Sequence, residues 1–434
     1  MAVVGLGYVG LPLATVFADA EFRVIGIDRD ADRVASINAG ESYIEDVPSE
    51  TLQRAITAPR RLWATTDYDT LSEADAVIIC VPTPLSKAKD PDVSHIQSAA
   101  KDIAKRLRIG MLVVLESTSY PGTTEELVLP SLQSSGGRSL EAGHDFFLAF
   151  SPERIDPGRT DKTISNTPKV IAGMTPRCLE MCRALYSCIV EELVPVSSPE
   201  TAEMVKLLEN TFRATNVALV NEVAIICDRL GVDAWEVIEA AGTKPFGFMS
   251  FFPGPGLGGH CIPVDPHFLA WKLKTLDYNA RFIQLADEIN LGMPLHWVNK
   301  VQNALNSVGM PVKDSNVLVL GVTYKRDVAD TRESPAFDII DLVLEKGGKV
   351  TFHDPYVRQL KSENYLMTSI TDAELPVSLE SADCVIIVAD HSYYDWPEIR
   401  RLARLVVDTR NALGQPLADF QAAASGAPVS PDGN

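Results

Sequence analysis

The sequence lacks both an excess of positive charge and any long apolar run. Its 39 basic residues are outnumbered by 58 acidic ones, and the net charge of −19 argues against nucleic acid or an anionic membrane as a partner. The apolar runs have the length of strands, and no basic segment followed by an apolar stretch opens the chain. We therefore expect neither a signal peptide nor a membrane span, and we expect a cytoplasmic location.

Cysteine is scarce, and its distribution argues against disulfides and against a metal site. An odd count of seven is typical of reduced thiols. Three of the seven share one helical segment with no second group of ligand-type residues, so no zinc site is expected. Three others stand inside apolar runs, which is typical of core residues: Cys80, Cys227 and Cys384.

The remaining cysteine, Cys261, lies in the run GPGLGGHCIPVDP at residues 254–266. Glycines let the backbone approach a ligand closely, and prolines fix the turn. The histidine and the aspartate place polar groups around the sulfur, so a thiol held there can act as a nucleophile once its proton is removed. The alternative interpretation is a structural cysteine in a glycine-rich turn.

The first thirty residues follow the pattern of a dinucleotide-binding βαβ unit. A short apolar strand runs into GxGxxG at Gly5, Gly7 and Gly10, and a second strand ends in Asp28. The three glycines permit, in order, a tight turn, contact between backbone and pyrophosphate, and close packing of helix on strand. An acid at position 28 accepts both ribose hydroxyls, which favours NAD over NADP, although the neighbouring Arg29 could hold a 2′-phosphate.

Further strand-length apolar runs begin near residues 76, 111 and 146, and they predict a doubly wound parallel sheet. In such sheets ligands bind beyond the carboxyl ends of the strands. Polar residues follow all three runs at that point, so chemistry is expected there. The residues are Thr83, Thr118, Glu153 and Arg154.

A long helix is predicted from Ser198 to Gly231. Ser198 suits the N-cap, a proline and an acid follow in the first turn, and nothing breaks the run before Gly231. Its roughly 32 residues would span about 48 Å, which is typical of a connection between domains and of a dimer interface. Lys206 and Asn210 share one face of it, although a solvated lysine beside a polar neighbour would have the same spacing.

The strand and helix pattern restarts at residue 316, and the run at 382–388 resembles the run at 74–80. The restart lacks GxGxxG, so its ligand should differ from a second dinucleotide. Its loop at 323–332 carries three basic residues and no glycine, which suits an anionic ligand, although a solvated loop is an alternative. We predict a Rossmann domain at 1–197, a helical dimerisation domain at 198–300, a Rossmann-like domain at 301–420 and a disordered tail at 421–434.

Six motifs, in this order, resemble those of the UDP-glucose/GDP-mannose dehydrogenase family: VGLGYVGLP, ESTSYPGTTEE, FSPER, KLLENTFRATNVALVNE, GPGLGGHCIPVDP and LGVTYKRDVADTRESP. The resemblance runs from the first strand to about Leu413. It implies an NAD-dependent enzyme that oxidises the 6-hydroxyl of a nucleotide sugar to a carboxylate in two hydride transfers. It also implies an α/β fold of two Rossmann-like, doubly wound lobes joined by a long central helix and a helical middle domain.

The resemblance also implies catalytic roles. Cys261 would attack the aldehyde to give a thiohemiacetal, and the second hydride transfer would leave a thioester; a free aldehyde cannot donate hydride until a nucleophile adds. Lys206 would stabilise the oxyanion, with Asn210 as a companion donor. Asp265 would order water and assist proton transfer. The residues implied in water activation and thioester hydrolysis are Thr118 and Glu153.

Binding roles follow from the same resemblance. It implies that Arg332 reaches the NAD pyrophosphate and that Lys325 and Arg410 grip the nucleotide sugar. The other implied NAD-binding residues are Gly5, Gly7, Tyr8, Val9, Gly10, Asp28, Val81, Pro82, Thr83 and Thr118. The other implied substrate-binding residues are Arg154, Lys206, Asn210, Phe252 and Gly258.

The sugar is predicted from departures within the family. UDP-glucose members usually carry a phenylalanine-leucine pair after the SPE motif, where this chain has Arg154 and Ile155. His260, with KPFG and PGPGLGGHCIPVDP, resembles the branch that oxidises UDP-N-acetylhexosamines, most closely UDP-N-acetylglucosamine 6-dehydrogenases. We predict UDP-N-acetylglucosamine, with UDP-N-acetylmannosamine and UDP-N-acetylgalactosamine as close alternatives, and UDP-glucose or a glucoside of secondary metabolism as weaker ones.

Two further classes stay open. One is a two-electron dehydrogenase of the hydroxyacid type, which would not need Cys261. The other is a binding protein that keeps the fold without the chemistry. The expected assembly of the chain is a homodimer through the central helix, with higher homo-oligomers left open.

Overall fold

The computed structural model describes residues 1–44, 46–57, 59, 61–86, 89–134, 139–155 and 161–414. The chain forms two compact units. The first comprises Met1–Asn210 with Val264–Asn279, and the second comprises Thr211–Pro263 with the chain from Ala280 onward. The predicted domain boundaries stay a prediction, and the predicted tail lies outside the described residues.

The first unit is built on an eight-stranded sheet of order β3-β2-β1-β4-β5-β6-β7-β8. Its pairs are parallel except for the antiparallel pair of β6 with β7. Apolar clusters cover both faces, as expected for β-branched runs buried on both sides. The strands are β1 Ala2–Val4, β2 Val24–Ile27, β3 Leu62–Thr65, β4 Ala76–Ile79, β5 Leu112–Leu115, β6 Phe147–Phe150, β7 Lys169–Gly173 and β8 Leu193–Pro195.

Helices flank this sheet, and short polar side chains cap several of them. Asp30, for example, accepts the amides of Asp32 at 3.0 Å and Arg33 at 3.3 Å at the start of its helix. The α-helices of the unit are α1 Gly10–Asp19, α2 Ala31–Ala39, α3 Ser49–Thr57, α4 Ser94–Ala104, α5 Leu129–Gln133, α6 Pro176–Tyr186 and α9 Asp265–Lys274. A 3₁₀-helix at Tyr68–Glu73 and a π-helical turn at Thr124–Val128 complete them.

The long helix α7, Pro199–Leu230, has the predicted length of 32 residues. Ser198 caps it, since its Oγ accepts the N–H of Thr201 at 3.2 Å. Gly231 ends it with a φ of 69°, a conformation that glycine adopts without strain. The prediction of a long, unbroken helix is confirmed.

The second unit holds a parallel four-stranded sheet of order β10-β9-β13-β14 and a separate hairpin of β11 and β12. One apolar cluster packs α10 and α11 against this sheet. The strands are β9 Asn316–Leu320, β10 Lys349–His353, β11 Gln359–Lys361, β12 Leu366–Thr368, β13 Cys384–Ile387 and β14 Val406–Asp408. The helices are α8 Ala234–Gly242, α10 Arg281–Ser307, α11 Pro335–Glu345, α12 Leu375–Ser381 and α13 Trp396–Leu402.

These two sheets confirm the predicted α/β class with two Rossmann-like lobes. Cys80, Cys227 and Cys384 are buried, as predicted for core residues. Within the described part of the chain, no helix combines the length and the hydropathy that crossing a membrane requires.

Candidate active site

The glycine-rich turn after β1 fits a dinucleotide phosphate. Gly5 has a φ of 92°, and a Cβ there would lie 2.6 Å from the carbonyl oxygen of Cys80. A Cβ on Gly10 would lie 1.8 Å from the carbonyl oxygen of Gly5, so only glycine lets α1 pack this closely. Gly7 has no atom within 4 Å of a Cβ position, and its backbone is open to a ligand. Helix α1 starts beside it without a side-chain cap, as anion-binding helix ends do.

Asp28 ends β2 and turns its carboxylate toward this turn. Its Oδ2 accepts the N–H of Leu6 at 2.8 Å, and its side chain keeps 11% of its exposure. Arg29 is the residue that could hold the 2′-phosphate of NADP. It contacts Ser98 and lies 3.7 Å from the carboxylate of Asp102 on α4. A 2′-phosphate would have to compete with that acid for Arg29. The arrangement therefore fits the unphosphorylated ribose of NAD.

The predicted polar residues do gather at one edge of the first sheet, because β4, β5 and β6 are neighbours. Val81, the exposed Pro82 and the buried Thr83 follow β4, and the partly buried Thr118 follows β5. Ser117 links the turn after β5 to the turn after β4, since its hydroxyl donates to the carbonyl of Val81 at 2.7 Å.

Glu153 and Arg154 follow β6 at the same edge. Glu153 Oε1 accepts the amides of Arg154 at 2.8 Å and Ile155 at 2.6 Å, which fixes the carboxylate against its own turn. The Arg154 guanidinium lies 2.6 Å from Glu209 Oε1 on α7 and donates to the carbonyl of Pro168 at 2.6 Å. Arg154 is thus engaged inside the unit, and its contact with a substrate stays a prediction.

A buried charged cluster lies behind Glu153. Lys169 Nζ is 3.2 Å from Glu116 Oε1 and 3.7 Å from Glu153 Oε2, and the Tyr186 hydroxyl donates to the same oxygen of Glu116. Burial raises the pKa of Glu116 against the lowering effect of Lys169. No local pattern predicts this cluster, because its members come from separate parts of the chain and Lys169 has the position of an ordinary strand start.

Lys206, Asn210 and Asp265 come together in the first unit. Asp265 is the buried first residue of α9, and Asn210 Nδ2 donates to its Oδ2 at 2.5 Å. Burial raises the pKa of Asp265 to about 6, while the charge of Lys206 and the Asn210 hydrogen bond oppose the shift. Lys206 is only 8% exposed, so the alternative of a solvated lysine is wrong. A buried ammonium, an amide and a carboxyl of raised pKa form a proton-handling group.

Cys261 is exposed and lies in the glycine-rich loop that begins at Gly254. Hydrogen bonds within the second unit hold the start of this loop in place. The N–H of Gly254 donates to Asn221 Oδ1 at 2.9 Å, and Trp297 Nε1 donates to the Gly254 carbonyl at 3.0 Å. Burial, and then the charge of Arg332, lowers the pKa of His260, so the imidazole next to Cys261 in the chain is neutral.

The glycines of this loop admit close neighbours from the C-terminal lobe. A Cβ on Gly258 would lie 2.5 Å from the Cβ of Tyr324, next to Lys325, and a Cβ on Gly254 would lie 2.7 Å from the guanidinium of Arg410. The partly buried Arg410 donates its Nε to the carbonyl of Val388 at 3.0 Å. Of the predicted substrate residues, Gly258 therefore belongs to this loop, Arg410 borders it, and Lys325 follows a residue that borders it.

Phe252 and Arg332, also in the second unit, have other contacts. Phe252 stacks on Trp235 with ring centroids 4.8 Å apart and keeps 42% exposure. Arg332 pairs with Asp330 at 2.6 Å, and its carbonyl accepts the N–H of Gly259 at 2.9 Å. The roles of Phe252 in sugar binding and of Arg332 in pyrophosphate binding stay predictions.

The turn after β9 repeats the first lobe's turn but lacks its ribose site. Gly321 has a φ of 76°, and Asp354 Oδ2 accepts the N–H of Val322 at 2.7 Å, as Asp28 accepts that of Leu6. Asp354, however, is buried, and its Oδ1 accepts the next two amides of its own turn at 2.8 and 3.1 Å. An acid saturated in this way cannot bind ribose hydroxyls.

Comparison with known proteins decides the class. Residues 1–190 match the NAD binding domain of the UDP-glucose/GDP-mannose dehydrogenase family, residues 200–291 its central domain and residues 318–415 its UDP binding domain. The chain belongs to this family. It is therefore an NAD-dependent UDP-sugar dehydrogenase, and the predicted cofactor and enzyme class are confirmed.

Relatives cover almost the whole chain. The NDP-N-acetyl-D-galactosaminuronic acid dehydrogenase of Ralstonia nicotianae is 37% identical over 418 residues, which cover 94% of this chain and 95% of the relative. The UDP-N-acetyl-D-mannosamine dehydrogenase of Salmonella typhi is 37% identical over 421 residues, which cover 94% and 98%. The solved UDP-D-ManNAc dehydrogenase of Pyrococcus horikoshii is 34% identical, with a TM-score of 0.87 and coverage of 97% and 98%.

Proposed function

We propose that this dehydrogenase oxidises C6 of a UDP-N-acetylhexosamine to a carboxylate through a covalent thioester on Cys261. The exposed Cys261, held in a glycine-rich loop whose neighbours include Arg410 and the segment carrying Lys325, is the observation that carries the proposal. The relatives are named for N-acetylmannosamine and N-acetylgalactosaminuronic acid. These names favour UDP-N-acetylmannosamine and UDP-N-acetylgalactosamine as substrates, ahead of the UDP-N-acetylglucosamine that we predicted.

The first oxidation needs a stabilised alkoxide. Bound NAD accepts a hydride in each of the two oxidations. The Lys206 ammonium would stabilise the negative charge on the substrate oxygen, and Asn210 would add a hydrogen bond. Asp265, with a pKa of about 6, would accept the released proton near neutral pH.

Cys261 then makes the second oxidation possible. Its thiolate adds to the aldehyde carbon, and the resulting thiohemiacetal carries a hydrogen that can leave as hydride. Loss of that hydride and of the hydroxyl proton leaves a thioester. Water attacks the thioester carbon, the C–S bond breaks, and the sulfur takes back a proton. We assign acceptance of the water proton to Glu153, with Thr118 positioning the water.

The test is the number of NADH molecules formed per sugar, with NAD in excess and each UDP-sugar limiting in turn. We expect two NADH per UDP-N-acetylhexosamine and the highest kcat/KM for the N-acetylmannosamine or N-acetylgalactosamine form. One NADH per sugar would indicate an enzyme that stops at the aldehyde. Thermal stabilisation by NAD and UDP-sugar without any NADH would indicate a binding protein.

Cysteine variants test the thioester. Cys261→Ser should lose most turnover, whereas Cys188→Ser, at another exposed cysteine, should keep it. Full turnover in Cys261→Ser would favour a two-electron dehydrogenase. We also propose a cytoplasmic location, from the odd number of cysteines, and a homodimer through α7.

A further inference from the structure

The proposed chemistry does not use the buried cluster of Glu116, Lys169 and Tyr186. Lys169 is 5% exposed and Glu116 is 1% exposed, so both charges are largely removed from water. Lys169 Nζ also donates to the carbonyl of Pro152 at 3.4 Å, beside Glu153. The second oxygen of Glu116, Oε2, is buried and has no hydrogen-bond partner among the described residues.

The charges in the cluster do not balance. Burial raises the pKa values of the Tyr186 phenol and of the Cys80 and Cys182 thiols, so these three groups are neutral. Two carboxyl groups, Glu116 at 3.2 Å and Glu153 at 3.7 Å, therefore face the single ammonium of Lys169.

The charged side chains next to this cluster form a pair of opposite sign. On the α7 side, Arg154 and Glu209 pair at 2.6 Å and contribute little net charge. Lys169 is thus the cation that Glu116 and Glu153 share.

We propose that Lys169 is a positioning residue that keeps Glu153 ionised and oriented for thioester hydrolysis, and that Glu116 weakens this effect by sharing the lysine charge. The inference rests on the proposed role of Glu153. An ammonium near a carboxylate favours its charged form, and a second carboxylate in the same site disfavours it. The charged form is the one in which Glu153 accepts the water proton.

Two variants should shift the hydrolysis step in opposite directions. Lys169→Met leaves the buried Glu116 and the partly buried Glu153 without the lysine cation, so the acid limb of the pH–rate profile should move up by about one unit, or about tenfold in rate on that limb. Glu116→Gln keeps the shape of the side chain but removes its negative charge, so Glu153 alone interacts with the Lys169 charge. The acid limb of the pH–rate profile should therefore move to lower pH. Lys169→Arg should stay close to the wild type.

The measurement is the decay of the Cys261 adduct, followed by intact mass after rapid mixing with NAD and UDP-N-acetylmannosamine or UDP-N-acetylgalactosamine, whichever is turned over. In Lys169→Met the thioester should accumulate after a burst of two NADH per site, because both hydride transfers precede hydrolysis. A purely structural role would lower thermal stability and burst amplitude in both variants and leave the acid limb in place. That result would overturn the inference.

Two controls keep the outcome interpretable. If Lys169→Met does not fold, the proposal is tested by Glu116→Gln alone. An acid limb of the pH–rate profile that does not move in Glu116→Gln contradicts the proposal. Glu153→Gln in the same assay tests the underlying role, since unchanged thioester decay there would remove the function assigned to Glu153. If the thioester decays slowly in Glu153→Gln but the acid limbs of Lys169→Met and Glu116→Gln do not move, the role of Glu153 stands. Only the positioning role of Lys169 would then be refuted.

Discussion

Burial decides which polar residues of this chain are suited to chemistry. Lys206 is 8% exposed and Asp265 is 3% exposed, and both neighbours of each residue in the chain are apolar. A lysine removed from water and kept near a carboxyl presents a fixed charge, which can stabilise a developing oxyanion without solvent rearrangement. The exposed lysines of the surface cannot do this.

Replacing Lys206 should therefore affect the chemical step and not cofactor binding. Lys206→Ala should lower kcat by about 10²- to 10³-fold, the usual cost of losing one such donor, and should leave the Kd for NAD nearly unchanged. Lys105→Ala, at a largely exposed lysine on the surface, is the matched control and should have no effect on either quantity. Steady-state kinetics with fluorescence titration of NADH would measure both. A selective loss of cofactor affinity in Lys206→Ala would contradict the assigned role.

Sequence reasoning located residues that lie in motifs and missed residues that meet only in three dimensions. Cys261, Asp28 and Glu153 stand next to glycines or at strand ends, where a local pattern marks them. Lys169 and Glu116 carry no such pattern, because their pairing depends on β5 and β7 lying on either side of β6. A contact of that kind is set by the order of strands in the sheet, which apolar runs alone do not determine.

At the scale of elements, the βαβ turn is the unit that both lobes repeat. Gly5 and Gly321 both have positive φ, and the acid that ends each second strand accepts the amide that follows the glycine. The strands are shorter than the apolar runs that predicted them; β4, for example, stops at Ile79, although the run continues through Val81. Of the two further residues, the buried Cys80 still donates its N–H to the carbonyl of Val4 at 2.7 Å, and the partly buried Val81 leads into the turn.

Two glycines of the first turn should respond differently to alanine. Gly10→Ala places a methyl group 1.8 Å from the Gly5 carbonyl oxygen, so it should destabilise the fold by about 1–3 kcal/mol or more. Gly7→Ala meets no protein atom within 4 Å and should fold normally, but it should weaken NAD binding about tenfold or more by occupying the space of the pyrophosphate. Thermal melts and NADH titration separate the two effects. Equal NAD affinity in Gly7→Ala and the wild type would place the pyrophosphate elsewhere.

At the scale of the whole molecule, the net charge of −19 opposes the binding of two anionic ligands, a dinucleotide and a UDP-sugar. Local features must therefore attract them. In the first unit these are the uncapped start of α1 and the open backbone of Gly7. In the second unit we assign this attraction to the basic residues near the cysteine loop, among them the partly buried Arg410. The ligands of each unit are therefore predicted from the positions of its backbone amides and basic side chains, and not from the net charge of the chain.

The assembly is the last property that the whole chain determines. Five large apolar side chains on α7 remain exposed at intervals of four and seven residues, and such spacing puts them on one helix face. Their exposures are 58% for Leu208, 47% for Phe212, 54% for Leu219, 48% for Ile226 and 70% for Leu230. A face of this kind is typical of a helix that packs against a second copy of itself.

A charge in the middle of that face should dissociate the proposed dimer. Leu219→Glu would bury a carboxylate against apolar partners, which costs several kcal/mol, so light scattering should show a monomer at micromolar concentration. Ile109→Glu changes another exposed apolar residue, outside α7, and should leave the mass of the proposed dimer unchanged. If Leu219→Glu and the wild type share one mass, α7 does not form the interface. Since the exposed face lies on the same helix as Lys206, activity measured beside mass would also show whether a monomer keeps the catalytic lysine in place.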